Sequence, residues 1–125
     1  MQVNLRRLPD AEQEVMCAIW ACTPPVSRAD IEAILFPEHP MALTTLLTLL
    51  TRLSDKGFLT IQKKGRRSYY IPCVTQEAYL AFQGKNFFEK LCGGRVSTFA
   101  AALCDSGLTR EELAELRLLL ERDAL

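Results

Sequence analysis

The sequence lacks the features that mark most enzymes, metal proteins and membrane proteins. Its one histidine, His39, lies in a predicted turn, and no glycine-rich phosphate loop is present. Its five cysteines form no C-x-x-C pair, which argues against a zinc site or a disulfide scaffold. No apolar run approaches the roughly 20 residues of a membrane helix, and the N-terminus has no signal-peptide core. We therefore predict a cytoplasmic protein that is not an enzyme and that uses no metal or cofactor. Cys17 and Cys22 are predicted to be small buried hydrophobic side chains.

An excess of charge of either sign is also missing. The 125 residues carry 15 Lys and Arg and 15 Asp and Glu, which argues against a generally basic nucleic-acid binder. The zero total is a cancellation, however, between a balance of +2 through Pro72 and −2 beyond it. Residues 56–67 contain five cations and no carboxylate: Lys56, Lys63, Lys64, Arg66 and Arg67. Such a run is usually a solvated turn, so a role in DNA binding is predicted only if the neighbouring elements also fit that role.

Apolar periodicity predicts three helices, then a β-hairpin, then three more helices. The third helix covers about residues 42–56, and Gly57 is its predicted stop. Two alternating runs surround Lys64-Gly65-Arg66, which is typical of a hairpin turn. This order predicts a mainly α fold with a small β-hairpin. We interpret it as a winged helix-turn-helix over residues 1–73, followed by a helical dimerisation region over residues 74–125.

Several helix ends are signalled by capping residues. Ser27-Arg28-Ala29-Asp30 resembles a capping box, and the helix that it opens must end before Pro37. Thr75 can cap the fourth helix and Gly93-Gly94 close it, while Thr109-Arg110-Glu111-Glu112 predicts the start of the last helix.

The third predicted helix has one apolar and one polar face. At 100° per residue, the apolar face contains Leu43, Leu46, Leu49, Leu50 and Leu53. Thr44, Thr48 and Thr51 lie on the opposite face, Thr45 and Arg52 on one flank, and Leu47 on the other. Exposed threonines can be surface residues without a specific role, but their concentration on one face of the helix favours a role in reading DNA bases. A threonine offers a hydroxyl that donates or accepts and a methyl that can contact thymine.

These patterns together predict a DNA-binding surface. The helix would enter the major groove while the cationic hairpin tip holds the phosphate backbone. Leu47 can either contact thymine methyl groups or pack on the hairpin. The predicted DNA-binding residues are Arg28, Thr44, Thr45, Leu47, Thr48, Arg52, Lys63, Lys64, Arg66 and Arg67.

Three segments resemble the penicillinase-repressor (BlaI/MecI/CopY) family. The first is Leu8-Pro9-Asp10-Ala11-Glu12-Gln13-Glu14-Val15-Met16 with Ile19-Trp20, the second runs from Thr45 to Leu53 with Lys56-Gly57-Phe58-Leu59, and the third is Gly65-Arg66-Arg67-Ser68-Tyr69-Tyr70-Ile71-Pro72. Gly93-Gly94 and residues 111–116 also match, so the similarity covers nearly the whole chain. Their order and spacing together are more specific than any one of them.

The resemblance implies a homodimeric repressor of palindromic double-stranded DNA operators, with a C-terminal helical dimerisation region. It also implies an upstream sensor protease as a partner, since some members are released by cleavage in the C-terminal region. Where staphylococcal members carry an Asn-Phe cleavage pair, this chain has Phe99-Ala100-Ala101-Ala102-Leu103, so release by the same cleavage is not predicted. Copper sensing is disfavoured because only Cys92 and Cys104 lie in this region.

Apolar side chains at helical spacing in the C-terminal part are predicted to form the dimer contact. They are Phe87, Phe88, Leu91, Phe99, Leu103, Leu113, Leu116 and Leu120. An alternative function is a winged-helix module that binds other proteins without sequence-specific DNA recognition. The zero net charge and the apolar Leu47 favour that alternative.

Overall fold

The computed structural model describes residues 5–123 and contains six α-helices and one small sheet over that range. The elements in chain order are α1 (Asp10–Trp20), β1 (Val26–Ser27), α2 (Arg28–Leu35), α3 (Leu43–Asp55), β2 (Leu59–Lys64), β3 (Arg67–Pro72), α4 (Gln76–Asn86), a π-helical turn (Phe87–Leu91), α5 (Val96–Asp105) and α6 (Arg110–Asp123). The order of elements confirms the predicted fold class. None of the helices in residues 5–123 has the length and apolar character needed to cross a membrane.

The chain forms two compact units that divide between Gln83 and Gly84, which we call unit 1 and unit 2. Unit 1 contains the first three helices, the sheet and most of α4. The functional boundary at residue 73 stays a prediction from the sequence.

Local signals set the ends of α2 and α3. The hydroxyl of Ser27 accepts from the Asp30 amide at 3.1 Å, and the Asp30 carboxylate accepts from the Ser27 amide at 3.2 Å. This reciprocal pair confirms the predicted capping box. Gly57 has a φ of 82°, which a residue without a Cβ adopts freely, so the chain leaves α3 directly into β2.

The sheet has three antiparallel strands in the order β1-β3-β2. β2 and β3 form the predicted hairpin, with Leu59 opposite Pro72 and Lys64 opposite Arg67 at its tip. β1 was not predicted. It pairs Val26 with Tyr70 and Ser27 with Tyr69, and because α2 follows it directly, this pairing fixes the start of α2 beside the hairpin.

The core of unit 1 is formed by α1, α2 and α3 together with residues of the sheet and of α4. Leu46, Leu49, Leu50 and Leu53 are buried, as the sequence predicts. Leu43 shares this face by its spacing, but 42% of its surface is exposed. Helical side chains lean towards the turn that precedes them, and the first residue of a helix has no such turn to cover.

Tyr79 belongs to the core of unit 1, although it lies on α4. Its hydroxyl donates to Gln13 Oε1 at 2.6 Å and accepts from the Leu8 amide at 3.0 Å. Its ring contacts Phe58 edge-on and Trp20 at a tilt. The start of α4 is therefore packed into unit 1 and is not a free linker.

The two cysteines of the first predicted helix are less buried than expected. Cys17 is exposed, so the prediction of a buried small side chain was wrong for it. Its neighbours on both sides in sequence, Met16 and Ala18, face the core, and Cys17 lies on the outer side of α1. Cys22 is half-buried and its thiol donates to the Ala18 carbonyl at 3.3 Å.

Unit 2 consists of the end of α4, the π-helical turn, α5 and α6. Gly93 and Gly94 have φ of 63° and 72° and end the helical run, as predicted. Thr109 and Glu112 form the predicted capping box at the start of α6, with bonds of 2.9 and 3.1 Å. In residues 84–123 Cys92 is the one buried side chain, so this unit has little core of its own.

Candidate nucleic-acid interface

The outward face of α3 carries threonines and one leucine. Thr44, Thr45, Thr48 and Thr51 are exposed, and Leu47 is exposed over 40% of its surface. The Thr48 hydroxyl donates to the Thr44 carbonyl at 2.9 Å, and the Thr51 hydroxyl donates to the Leu47 carbonyl at 3.0 Å. This face is polar in composition, yet two of its hydroxyl hydrogens already bond the helix backbone.

Cations from two separate elements meet beside α3 in what we call the wing cleft. It is an open cavity of about 380 Å³ between the start of α2, the middle of α3 and β3. Arg28 comes from α2, Leu47 from α3, and Arg66 and Arg67 from the wing, by which we mean residues 63–67 at the hairpin tip. The remaining lining residues are Ser27, Ala29, Ser68 and Tyr70. The β1–β3 pairing positions them, because Ser27 lies opposite Tyr69 and Arg28 follows it.

Tyr70 lines the wing cleft as a neutral group. Its side chain is almost completely buried, and burial raises the pKa of its phenol above the usual value, an effect that the nearby Arg28 partly offsets. The phenol therefore stays protonated at neutral pH and adds no negative charge beside the arginines. The cleft keeps its positive character.

The wing carries a charge arrangement that hairpin stability does not explain. Lys64 lies directly opposite Arg67, and like charges in that position destabilise a strand pair. In residues 5–123 no carboxylate lies within ion-pair distance of Lys63, Lys64, Arg66 or Arg67. Gly65, with a φ of 64°, makes the turn between these residues. An anionic partner would relieve this repulsion.

A second cleft, which we call the threonine cleft, lies along the other side of α3. It has a volume of about 270 Å³ and is lined by Thr44, Thr45, Thr48, Leu49 and Arg52. Arg52 lies near the C-terminal end of the helix, where a cation is favourable for the helix dipole.

All ten residues predicted to bind DNA are exposed and lie in unit 1. Four line the wing cleft, four line the threonine cleft, and Lys63 and Lys64 line neither but lie on the exposed wing. Sequence reasoning missed Ser68 and Tyr70, whose position follows from the register of β3 against β1. The period-two pattern of β3 was visible, but the partner strand was not.

One cation of the 56–67 run has a structural role. Lys56 Nζ bonds Glu12 Oε1, and Glu12 is only 2% exposed. Arg28 is also paired, with Glu32 one turn along α2 at 3.4 Å, but both side chains are partly exposed. Within residues 5–123, four cations without an ion pair therefore remain at the hairpin tip, and the partly exposed, paired Arg28 lies beside two of them in the wing cleft.

Three helices, a hairpin with a cationic tip and an exposed third helix define the winged helix-turn-helix class. Within that class, the family description "Penicillinase repressor" matches residues 8–122. The chain belongs to this family, whose members are transcriptional repressors and not enzymes.

Relatives and solved structures agree with this assignment. The chain is 28% identical to a "Penicillinase repressor" of Bacillus licheniformis over 119 residues, 94% of this chain and 92% of the relative. It is similar to a solution structure of the DNA-binding domain of the repressor BlaI, with a TM-score of 0.53, 29% identity and coverage of 62% of this chain and 94% of that one. It is also similar to monomeric Bacillus licheniformis BlaI in complex with the blaP half-operator, with a TM-score of 0.50, 30% identity, and coverage of 61% and 92%.

Proposed function

We propose that this protein is a transcriptional repressor that binds double-stranded DNA as a homodimer on a palindromic operator. α3 enters the major groove and the wing contacts the phosphate backbone. The observation that carries the proposal is the convergence of Arg28, Arg66 and Arg67 beside the exposed face of α3 in one cleft. Similarity to a repressor solved with its half-operator supports DNA as the partner.

The clefts on the two sides of α3 suggest a division of roles. Thr44, Thr45 and Thr48 meet base edges, because their side chains offer methyl groups and acceptor oxygens in the groove. Guanidinium and ammonium groups bind phosphates strongly, and contacts to phosphates carry no sequence information. The phosphate-binding residues in this proposal are Arg28, Arg52, Lys63, Lys64, Arg66 and Arg67.

The exposed apolar surface of unit 2 supports association of two copies. Phe87, Leu91 and Leu120 are exposed, whereas the other five predicted dimer residues are half-buried. Phe87 and Phe88 both contact the ring of Phe99 edge-on, at centroid distances of 5.8 and 5.7 Å. A unit with one buried side chain in residues 84–123 gains most of its apolar burial from a partner.

The proposal includes an upstream sensor protease, as the family resemblance implies. The segment at residues 99–103 lies inside α5, so a protease could cut it only after that helix unwinds.

The salt dependence of binding tests the DNA-binding proposal. If a dimer engages about eight phosphates, the slope of log K against log salt concentration is about −7. The full chain would be titrated onto duplexes selected from a random pool, with fluorescence anisotropy measured across a salt series. Binding that is flat with salt would reject the wing as a phosphate contact. Failure to bind any duplex at low salt would favour a protein-binding module instead.

Sedimentation equilibrium tests the dimer with a matched pair of variants. Leu91→Glu places a carboxylate in the proposed contact and should convert the protein to monomers, because burying an unpaired charge is costly. Leu80→Glu changes a similarly exposed leucine on α4 that is outside the predicted set, and it should leave the dimer intact. A monomeric wild-type protein, or equal dissociation by both variants, would contradict the assignment.

A further inference from the structure

We infer that α3 recognises thymine methyl groups and that Leu47 is the residue that sets this preference. The inference rests on the proposed function, since it concerns how the helix reads DNA.

The side chains that α3 offers to the groove are short and carry no amide or carboxylate between Leu43 and Thr51. Guanine is read by Arg or Lys, adenine by Asn or Gln, and cytosine by Asp or Glu. From Leu43 to Thr51 the helix contains none of these residue types, and the first charged residue is Arg52 on its flank. The bidentate contacts that distinguish most base pairs are therefore not available to residues 43–51 of this helix.

Two of the threonine hydroxyls on α3 are already bonded to the helix backbone. A hydroxyl has one hydrogen, and Thr48 and Thr51 each donate theirs to a carbonyl of α3 itself. These two side chains cannot at the same time donate to a base acceptor such as N7 or O6. What Thr48 retains for DNA is an acceptor oxygen and a methyl group, and the methyl suits thymine.

Leu47 is the residue of α3 that lines the wing cleft. Leu47 lines the wing cleft beside residues of the hairpin, yet 40% of its surface stays exposed there, so apolar surface remains for a ligand to cover. Arg66 and Arg67 line the same cleft, so phosphates bound there would hold the duplex against an apolar side chain. The one apolar group on a base edge in the major groove is the thymine C5-methyl.

Replacing thymine by uracil in the operator tests this directly, because it removes one methyl and no hydrogen-bonding group. Selected duplexes would be synthesised with one thymine at a time replaced by deoxyuridine. We expect about a fourfold loss of affinity at one or two positions in each half-site and no loss elsewhere. Equal affinity at every position would overturn the inference.

A variant cycle assigns the effect to Leu47. Leu47→Ala should bind the thymine duplex more weakly than wild type and show no further loss on the uracil duplex. Arg67→Ala is the control, since loss of a phosphate contact weakens both duplexes alike and keeps the fourfold ratio. If Leu47→Ala also keeps the ratio, another residue reads the methyl and the assignment is wrong.

The two proposals fail in different ways. If the protein binds no duplex at low salt, the proposed function fails. If it binds a selected operator tightly and every uracil replacement is neutral, the repressor function stands and the thymine readout falls. Circular dichroism checks that Leu47→Ala is folded. We expect it to fold like wild type, because the Leu47 side chain is partly exposed.

Discussion

Replacing Arg66 and Arg67 together by alanine should lower affinity for DNA on the order of a thousandfold at 0.15 M salt. Both residues line the wing cleft, and neither has a carboxylate partner in the described part of the chain. In a dimer the double substitution removes about four phosphate contacts, each of which releases counterions on binding. The salt slope should change from about −7 to about −4. Anisotropy titrations across a salt series measure both quantities.

The control for this experiment removes the same charge elsewhere. Lys85 and Lys90 are exposed cations beyond unit 1, so Lys85→Ala with Lys90→Ala lowers the net charge equally without touching the wing. We expect a small change in affinity and an unchanged slope. The wing substitution should weaken an operator and an unrelated duplex by the same factor, because phosphates carry no sequence. Equal losses in the two double variants would mean that net charge, and not the wing, controls binding.

Local chemistry made the helices of this protein predictable. Ser27 with Asp30 and Thr109 with Glu112 satisfy backbone amides within four residues of chain, and such signals need no tertiary context. Gly57 is also a local signal, because a glycine readily adopts the positive φ that ends α3. These signals and the apolar spacing together predicted where α3 and the hairpin lie in the sequence. They also predicted that the threonines of α3 are exposed.

The wing cleft could not be predicted, because it depends on a pairing distant in sequence. β1 has two residues and no periodicity of its own, and only its partner on β3 makes it a strand. That pairing brings Arg28 to Arg66 and Arg67 across about forty residues of chain. The sequence showed Arg28 as a candidate without showing what lies beside it.

The number of cations in residues 56–67 that are available to DNA also depends on contacts distant in sequence. Sequence counts treat Lys56 as equivalent to Lys63, Lys64, Arg66 and Arg67, but the fold returns Lys56 to α1, where it meets Glu12. Net charge over a segment therefore overstated the cations available to DNA by one. The exposure of Leu43 on the apolar face has a related reason, since a helical wheel does not show where the helix begins.

Replacing Lys56 by alanine should lower the free energy of unfolding by about 3 kcal/mol, because it leaves the buried carboxylate of Glu12 without its partner. For a domain of ordinary stability this is a large fraction of the total. Denaturant unfolding at fixed protein concentration measures it, since dimerisation makes stability depend on concentration. Lys64→Ala, at an exposed wing lysine without an ion pair in residues 5–123, is the matched control and should be as stable as wild type or slightly more stable, because it removes the repulsion with Arg67. Glu12→Gln combined with Lys56→Met should recover part of the loss, because no buried charge then remains. If Lys56→Ala unfolds like Lys64→Ala, the ion pair between α1 and the end of α3 does not stabilise unit 1.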